Sequence, residues 1–236
     1  VENAAKEAAA AAAASSSSSS TATEKSTPAP PTSSSSTSSG SSTSLLTPGF
    51  EIDPIVKSES PKNIVFVTSE VAPWSKTGGL ADVCGSLPQA LVARGHRVMV
   101  IAPRYLNGTK SDKLYEGAFD TCVKSKLGCF EGLQEVGYFH QIKNGVDYVF
   151  VDHPSYHRAG SLYSDVTNKT YGDNQFRYTL LAHAACEAPL VLPFENTGGR
   201  YGDDVVFVAN DWHAGLVPLL VASKYRPHNV YGNART

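Results

Sequence analysis

Asn63-Ile64-Val65-Phe66-Val67, the run from Leu80 to Arg94, and Val98-Met99-Val100-Ile101 are the three stretches whose reading decides the fold. The first and third are short, continuous apolar runs of the kind found in strands buried on both faces of a parallel sheet. Between them, Val83, Leu87 and Leu91 recur every four residues, which predicts one apolar helical face. Pro88 predicts a kink or restart, and Gly95-His96 closes the helix. Strand, helix and strand make a βαβ unit, which requires a parallel sheet covered by helices.

Outward from that unit, Tyr138 to Ile142 and Val146 to Val151 flank Asn144-Gly145, a hairpin signal that predicts an antiparallel extension of the sheet. Phe176 to Leu181 with Ala184 and Ala185 predicts an amphipathic helix ending before Pro189. Val205-Val206-Phe207-Val208 reads as another buried strand. Asp211 then stands where a helix N-cap belongs, with Trp212 to Tyr225 as the helix.

Residues 1–61 differ in kind. Runs of alanine (Ala8 to Ala14) and serine (Ser15 to Ser20, Ser33 to Ser36), with Pro28, Pro30 and Pro31 between them, offer too few large apolar side chains to offset ordering entropy. A disordered tail is expected, either a transit-peptide remnant or a linker; Glu2, Glu7 and Glu24 favour the linker. Residues 62–236 form one α/β domain. The chain starts at Val1 and stops at Arg235-Thr236, just after an apolar helix-like segment, and is read as a fragment.

A net charge of −2 gives no clustered positive field for nucleic acid or an anionic membrane, and no apolar stretch is long enough to span a bilayer. The expected partner is a small molecule or a neutral polymer. Cys84, Cys122, Cys129 and Cys186 lack short paired spacing, which argues against a zinc knuckle or a disulfide scaffold.

Three segments carry candidate chemistry. Glu70 to Val83 lies between a strand's carboxyl end and a helix's amino end, where free N–H groups and the helix dipole favour an anion. Gly78 and Gly79 would let a phosphate approach the backbone, with Lys76 supplying positive charge; a glycine turn beside a solvated lysine accounts for the same residues. The loop is neither a Walker sequence nor Gly-x-Gly-x-x-Gly, so ordinary ATPase and dinucleotide-binding oxidoreductase readings lose support. The second segment, Tyr171 to Tyr178, offers Asp173 as a natural N-cap. The third, Asn210 to Leu216, puts His213 where an imidazole fills a crevice as readily as it meets a ligand. Asp152, His153 and His157 are metal-ligand types, but they leave a hairpin strand without fixed geometry, and no metal site is assigned.

Lys76-Thr77-Gly78-Gly79-Leu80-Ala81-Asp82-Val83, followed by Pro88-Gln89-Ala90-Leu91 and Arg94-Gly95-His96-Arg97-Val98, resembles the N-terminal signature of bacterial glycogen synthases and plant starch synthases. Asp173-Asn174 followed by Arg177-Tyr178, and Asp211-Trp212-His213 with Leu216, resemble two further segments of that family. Val149 to Arg158, Gly160 to Tyr163, Ala185 to Leu190 and Lys224 to Pro227 resemble the plant-type, soluble class I members. The resemblance spans 62–236. It implies the Rossmann-like N-terminal lobe of a two-lobe glycosyltransferase, with the C-terminal lobe missing. It also implies retaining transfer of glucose from ADP-glucose to the non-reducing end of an α-1,4-glucan such as starch or amylopectin chains, in a plastid (chloroplast or amyloplast), with no cofactor and no metal. By the same resemblance Lys76, Gly78 and Gly79 bind ADP-glucose, and Asp82, Asp173 and His213 belong to the active site. Asp211 is chiefly a cap, and Asn174 and Arg177 are structural. The competing class is a non-catalytic glucan-binding or scaffold protein on the same fold.

Overall fold

Both edges of β1 (Asn63–Val67) carry a parallel neighbour: β2 (Arg97–Pro103) on one side and β6 (Val205–Ala209) on the other. In this computed structural model, which describes residues 55–130, 132–194 and 198–236, β2 also pairs in parallel with β5 (Val146–Asp152). Two antiparallel strands, β4 (Gly132–Lys143) and β3 (Phe119–Cys129), complete a six-stranded sheet of order β3-β4-β5-β2-β1-β6. The chain divides into two units, Val1–Glu51 and Ile52–Thr236, and everything described belongs to the second. The expected tail lies outside the described residues as far as 54. Residues 55–61 form neither helix nor strand.

Alternation along the strands builds a core on each face, as strands buried on both sides require. Ile64, Phe66, Val98, Val100, Tyr148 and Phe150 share one cluster, joined by Cys84 of α1 (Gly79–Ala93). Val65, Val67, Met99, Ile101, Val149 and Val151 share the other, joined by Tyr178, Leu181 and Ala185 of α2 (Asn174–Val191). The β4–β5 hairpin turns on Asn144 and Gly145, both at positive φ, which this pair tolerates better than other residues.

Four expectations need correction. Helix α1 buries Ala81, Cys84, Gly85 and Pro88, while Val83 and Leu87 face outward. The helix lies so close to the loop after β1 that only small residues fit; a Cβ on Gly85 would stand 2.9 Å from the Ala72 carbonyl oxygen. It also runs through Pro88 without restarting. Helix α2 continues past Pro189 to Val191 and is buried around most of its circumference rather than amphipathic, because Ala185, Cys186, Ala188 and Leu192 all enter the core. The span from Trp212 to Tyr225 is not one helix. It divides into α3 (Asp211–Ala214), α4 (Leu216–Leu220) and a wide turn over Val221–Tyr225. Pro218 has no N–H for the Ala214 carbonyl, and the break falls at Gly215.

Gly85→Ala should cost about 1–3 kcal/mol in urea unfolding, since overpacking against backbone has no soft escape. Gly128→Ala, whose Cβ would meet nothing within 4 Å, should leave stability unchanged or slightly raised.

Candidate active site

The strand order reverses direction at β1, so the loops leaving β1 and β6 emerge side by side at the sheet's carboxyl edge, the usual ligand position in open α/β sheets. Asn210 joins them. Its backbone N–H and its side-chain amide both donate to the Val67 carbonyl, at 3.0 and 3.1 Å.

The loop after β1 is anchored and then released. Thr68, Ser69 and Glu70 are buried, and Trp74 inserts beside Tyr148 and Phe150, with ring centroids 4.5 and 5.2 Å away. Lys76, Thr77, Gly78 and Gly79 then lie exposed. Lys76 Nζ meets Asp82 Oδ1 at 2.7 Å, with both side chains more than half exposed (53% and 58%). Neither glycine has a positive φ, and a Cβ at either would meet nothing within 4 Å. Neither backbone conformation nor a packed neighbour requires glycine at 78 or 79, and the space above them is open. Gly78 is the N-cap of α1, and having no side chain it leaves the first-turn N–H groups uncapped. A cavity of about 260 Å³ lies beside the loop, lined by Trp74, Ser75, Lys76, Thr77, Asn107 and Ser161 among others.

Glu70, quoted in the sequence only as the start of the loop, has a larger part than its position suggested. Its carboxylate accepts from Thr77 N (2.5 Å), Thr77 Oγ1 (2.5 Å), Gly78 N (3.2 Å) and the Tyr163 hydroxyl (2.5 Å). Burial pushes this carboxyl up, but the bonds from Thr77, Tyr163 and Gly78 outweigh it and leave it below the ordinary range. The Thr77 and Gly78 amides are thus directed inward, and an anion at the helix start would meet Lys76 and the first-turn N–H groups instead.

His213, in α3, is buried (7% exposed), and its Nδ1 has no hydrogen-bond partner. Its ring stacks on Tyr163 (5.0 Å, 25°) and stands edge-on to Tyr178 (4.6 Å). Burial lowers its basicity, with Asp211 and Glu70 pulling the other way, so the net result favours the neutral imidazole. Asp211 is not the cap. Asn210 holds that position, and Asp211, at φ 62°, accepts from the Trp212 N–H at 2.6 Å.

Asp173 does sit at the N-cap of α2, but its side chain makes no capping bond. Arg158 grips it with both terminal nitrogens, at 2.8 and 2.5 Å. Those bonds hold the Asp173 carboxyl below its ordinary value, against partial burial. Arg177 is buried and donates to the Ser155 and Leu162 carbonyls and to Asn174 Oδ1. Asn174 in turn donates to the Tyr163 carbonyl at 3.0 Å. Tyr163 therefore touches all three segments: its hydroxyl reaches Glu70, its ring faces His213, and its carbonyl holds Asn174 beside Asp173. Asp152 accepts from Arg104 and His157, while His153 turns to Ser155. Among the described residues no group of three or more His, Cys, Asp or Glu is arranged to hold a metal.

A parallel-cored α/β sheet whose strand order switches at β1 belongs to the class of open α/β domains that carry ligands at the carboxyl edge of the strands. The family model described as the starch synthase catalytic domain matches residues 63–236, and the chain belongs to that family of glycosyltransferases. It is 61% identical over 183 residues to starch synthase 1 of Arabidopsis thaliana (78% of this chain, 28% of that protein). To soluble starch synthase 1 of Solanum tuberosum it is 62% identical over 174 residues (74% and 27%). To granule-bound starch synthase 1 of Arabidopsis thaliana the identity is 47% over 186 residues (75% and 29%). The chain thus spans between a quarter and a third of the length of these curated relatives, and it is more similar to the starch synthase 1 proteins than to the granule-bound one. A solved structure, the catalytic domain of starch synthase IV from Arabidopsis thaliana bound to ADP and acarbose, shares the fold with a TM-score of 0.56 at 25% identity, over 75% of this chain and 33% of that one.

Arg158→Met should move the Asp173 carboxyl up toward its ordinary 3.8, as followed by carboxyl NMR titration. The depressed folded-state value contributes stability above the unfolded value, which is lost as pH falls through the folded one. The variant should therefore lose less stability on acidification; an unmoved titration would show that Arg158 is not the cause.

Proposed function

We propose that the full-length protein is a plastid starch synthase that transfers glucose, with retention, from ADP-glucose to the non-reducing end of an α-1,4-glucan. The observation that carries this reading is the open space over Gly78 and Gly79, at an uncapped helix N-terminus beside Lys76, where neither backbone conformation nor a packed neighbour calls for glycine. The ADP and acarbose bound to the solved neighbour support a nucleotide and a glucan as ligands. The relatives' names, chloroplastic/amyloplastic, support the compartment.

Lys76 would exchange Asp82 for the diphosphate. An exposed ion pair such as Lys76–Asp82 is worth about 0–1 kcal/mol, whereas a hydrogen bond to a charged phosphate is worth about 1.5–3 kcal/mol, so the exchange runs toward the donor. The α1 dipole adds about 0.3–1 kcal/mol for an anion at the same place. As ADP departs, negative charge grows on the diphosphate and positive charge on the sugar ring. Lys76 and the helix start meet the first, and a neutral His213 offers its imidazole to the transferred sugar. The acceptor's 4-hydroxyl attacks the sugar's C1 from the face that ADP leaves; the C1–oxygen bond to ADP breaks, and the hydroxyl proton passes to the departing phosphate oxygen. Asp82 is the resting partner of Lys76, and Asp173 stands beside the Asn174–Tyr163 contact.

In the full-length enzyme, Lys76→Gln should lower kcat/KM for ADP-glucose by about 10–100-fold, equivalent to about 1.4–2.7 kcal/mol; unchanged donor kinetics would overturn the phosphate assignment. The 236-residue chain by itself should bind ADP-glucose weakly in calorimetry and show no turnover. Measurable transfer by the purified chain would refute a site shared with residues outside it.

A further inference from the structure

We infer that Glu70 is the positioning residue that sets the Lys76 loop against His213, a role that rests on the donor-site reading above and is separate from contact with substrate. Glu70 is 3% exposed and lies three residues past Val67, its backbone N–H and carbonyl both bonded to the Thr68 hydroxyl at the end of β1. A carboxylate offers about four lone-pair directions, and all four are taken: Oε2 by the Thr77 and Gly78 amides, Oε1 by the Thr77 and Tyr163 hydroxyls. With no acceptor capacity left, it is not placed to serve as a base for an incoming ligand. One side of it fixes the residues that flank Lys76; the other fixes the phenol on whose ring His213 stacks. The loop that meets the diphosphate and the imidazole that meets the sugar are thus referred to a single buried group. The Thr77 and Gly78 amides can only donate, and the Thr77 and Tyr163 hydroxyls donate here too, so a carboxylate takes all four as they stand. A glutamine would have to turn its NH₂ toward the hydroxyls and force both to reverse and accept, and an aspartate is a methylene too short to reach both.

The test is a double-mutant cycle in the full-length enzyme, with Glu70→Gln and Lys76→Gln singly and together. Glu70→Gln is expected to lower kcat/KM for ADP-glucose by about 10–100-fold. The double variant should be within about threefold of the worse single one, because a lysine that is already misplaced has little left to lose. Tyr163→Phe keeps the ring on His213 and deletes one donor; it runs the same cycle with Lys76→Gln should Glu70→Gln not fold, with a several-fold loss and the same shortfall from additivity expected. Multiplying losses, in which the double variant falls by the product of the single factors, would overturn the inference and reduce Glu70 to a structural residue. Full donor kinetics in Glu70→Gln would overturn it as well. A Lys76→Gln enzyme with unaltered donor kinetics would instead strike down the phosphate reading beneath it, whatever Glu70→Gln does.

Discussion

Parallel pairing on both edges of β1 is the constraint from which the site follows. With β2 on one side and β6 on the other, the two chain segments that leave the carboxyl edge at β1 and β6 must emerge next to each other. Asn210 secures the junction by donating twice to Val67, leaving that carbonyl satisfied where the sheet ends. Lys76 and His213 are remote in sequence. The segments that carry them are neighbours because of this register, and a strand order that kept β6 away from β1 would part them even with every side chain intact.

Around that junction the molecule keeps a few polar groups buried and spends its rigidity on them. Glu70, Tyr163, Tyr178 and His213 form a packed unit of hydrogen bonds and ring contacts, and Arg177 is held among the Tyr105, Tyr156, Tyr171 and Tyr178 rings. Buried polar groups of this kind are costly when unpaired, and most of these have partners. His213 Nδ1 is the exception: it makes no hydrogen bond, and Asp211 Oδ2 stands 3.9 Å away. The exposed pair Lys76–Asp82 shows the complementary property: it is weak, and so its partner is easily exchanged.

The βαβ unit, the hairpin at Asn144-Gly145 and the β6 strand were legible because each rests on local pattern: apolar runs, a turn dipeptide, a breaker. The buried face of α1 was not. Periodicity selects the large residues Val83 and Leu87, whereas the approach of the helix to Ala72 admits only the small ones, Ala81, Cys84 and Gly85. Strand β3 went unread because its inward positions from Ser125 to Cys129 alternate with Lys126 and Gly128 and carry only one large apolar residue, Leu127; a bulge between Asp120 and Lys124 also shifts its register. Asp211 and Asp173 both looked like caps, since their residue type favours that position, yet one accepts from its neighbour's N–H and the other is claimed by Arg158.

By itself the sequence determined the class of fold, the family, and the three segments that Tyr163 joins, because strand burial, turn chemistry and the Lys76 to Val83 and Asp211 to Leu216 signatures are all written in neighbouring residues. Only the tertiary structure decided what each side chain in those segments touches. That the Thr77 and Gly78 amides fold back on Glu70 and that Gly78 and Gly79 lie under open space are facts of how the loop packs, and that Tyr163 joins the loop to His213 is a contact between residues distant along the chain. Local pattern fixes which elements form; hydrogen-bond partners are chosen by what the packed sheet brings within reach.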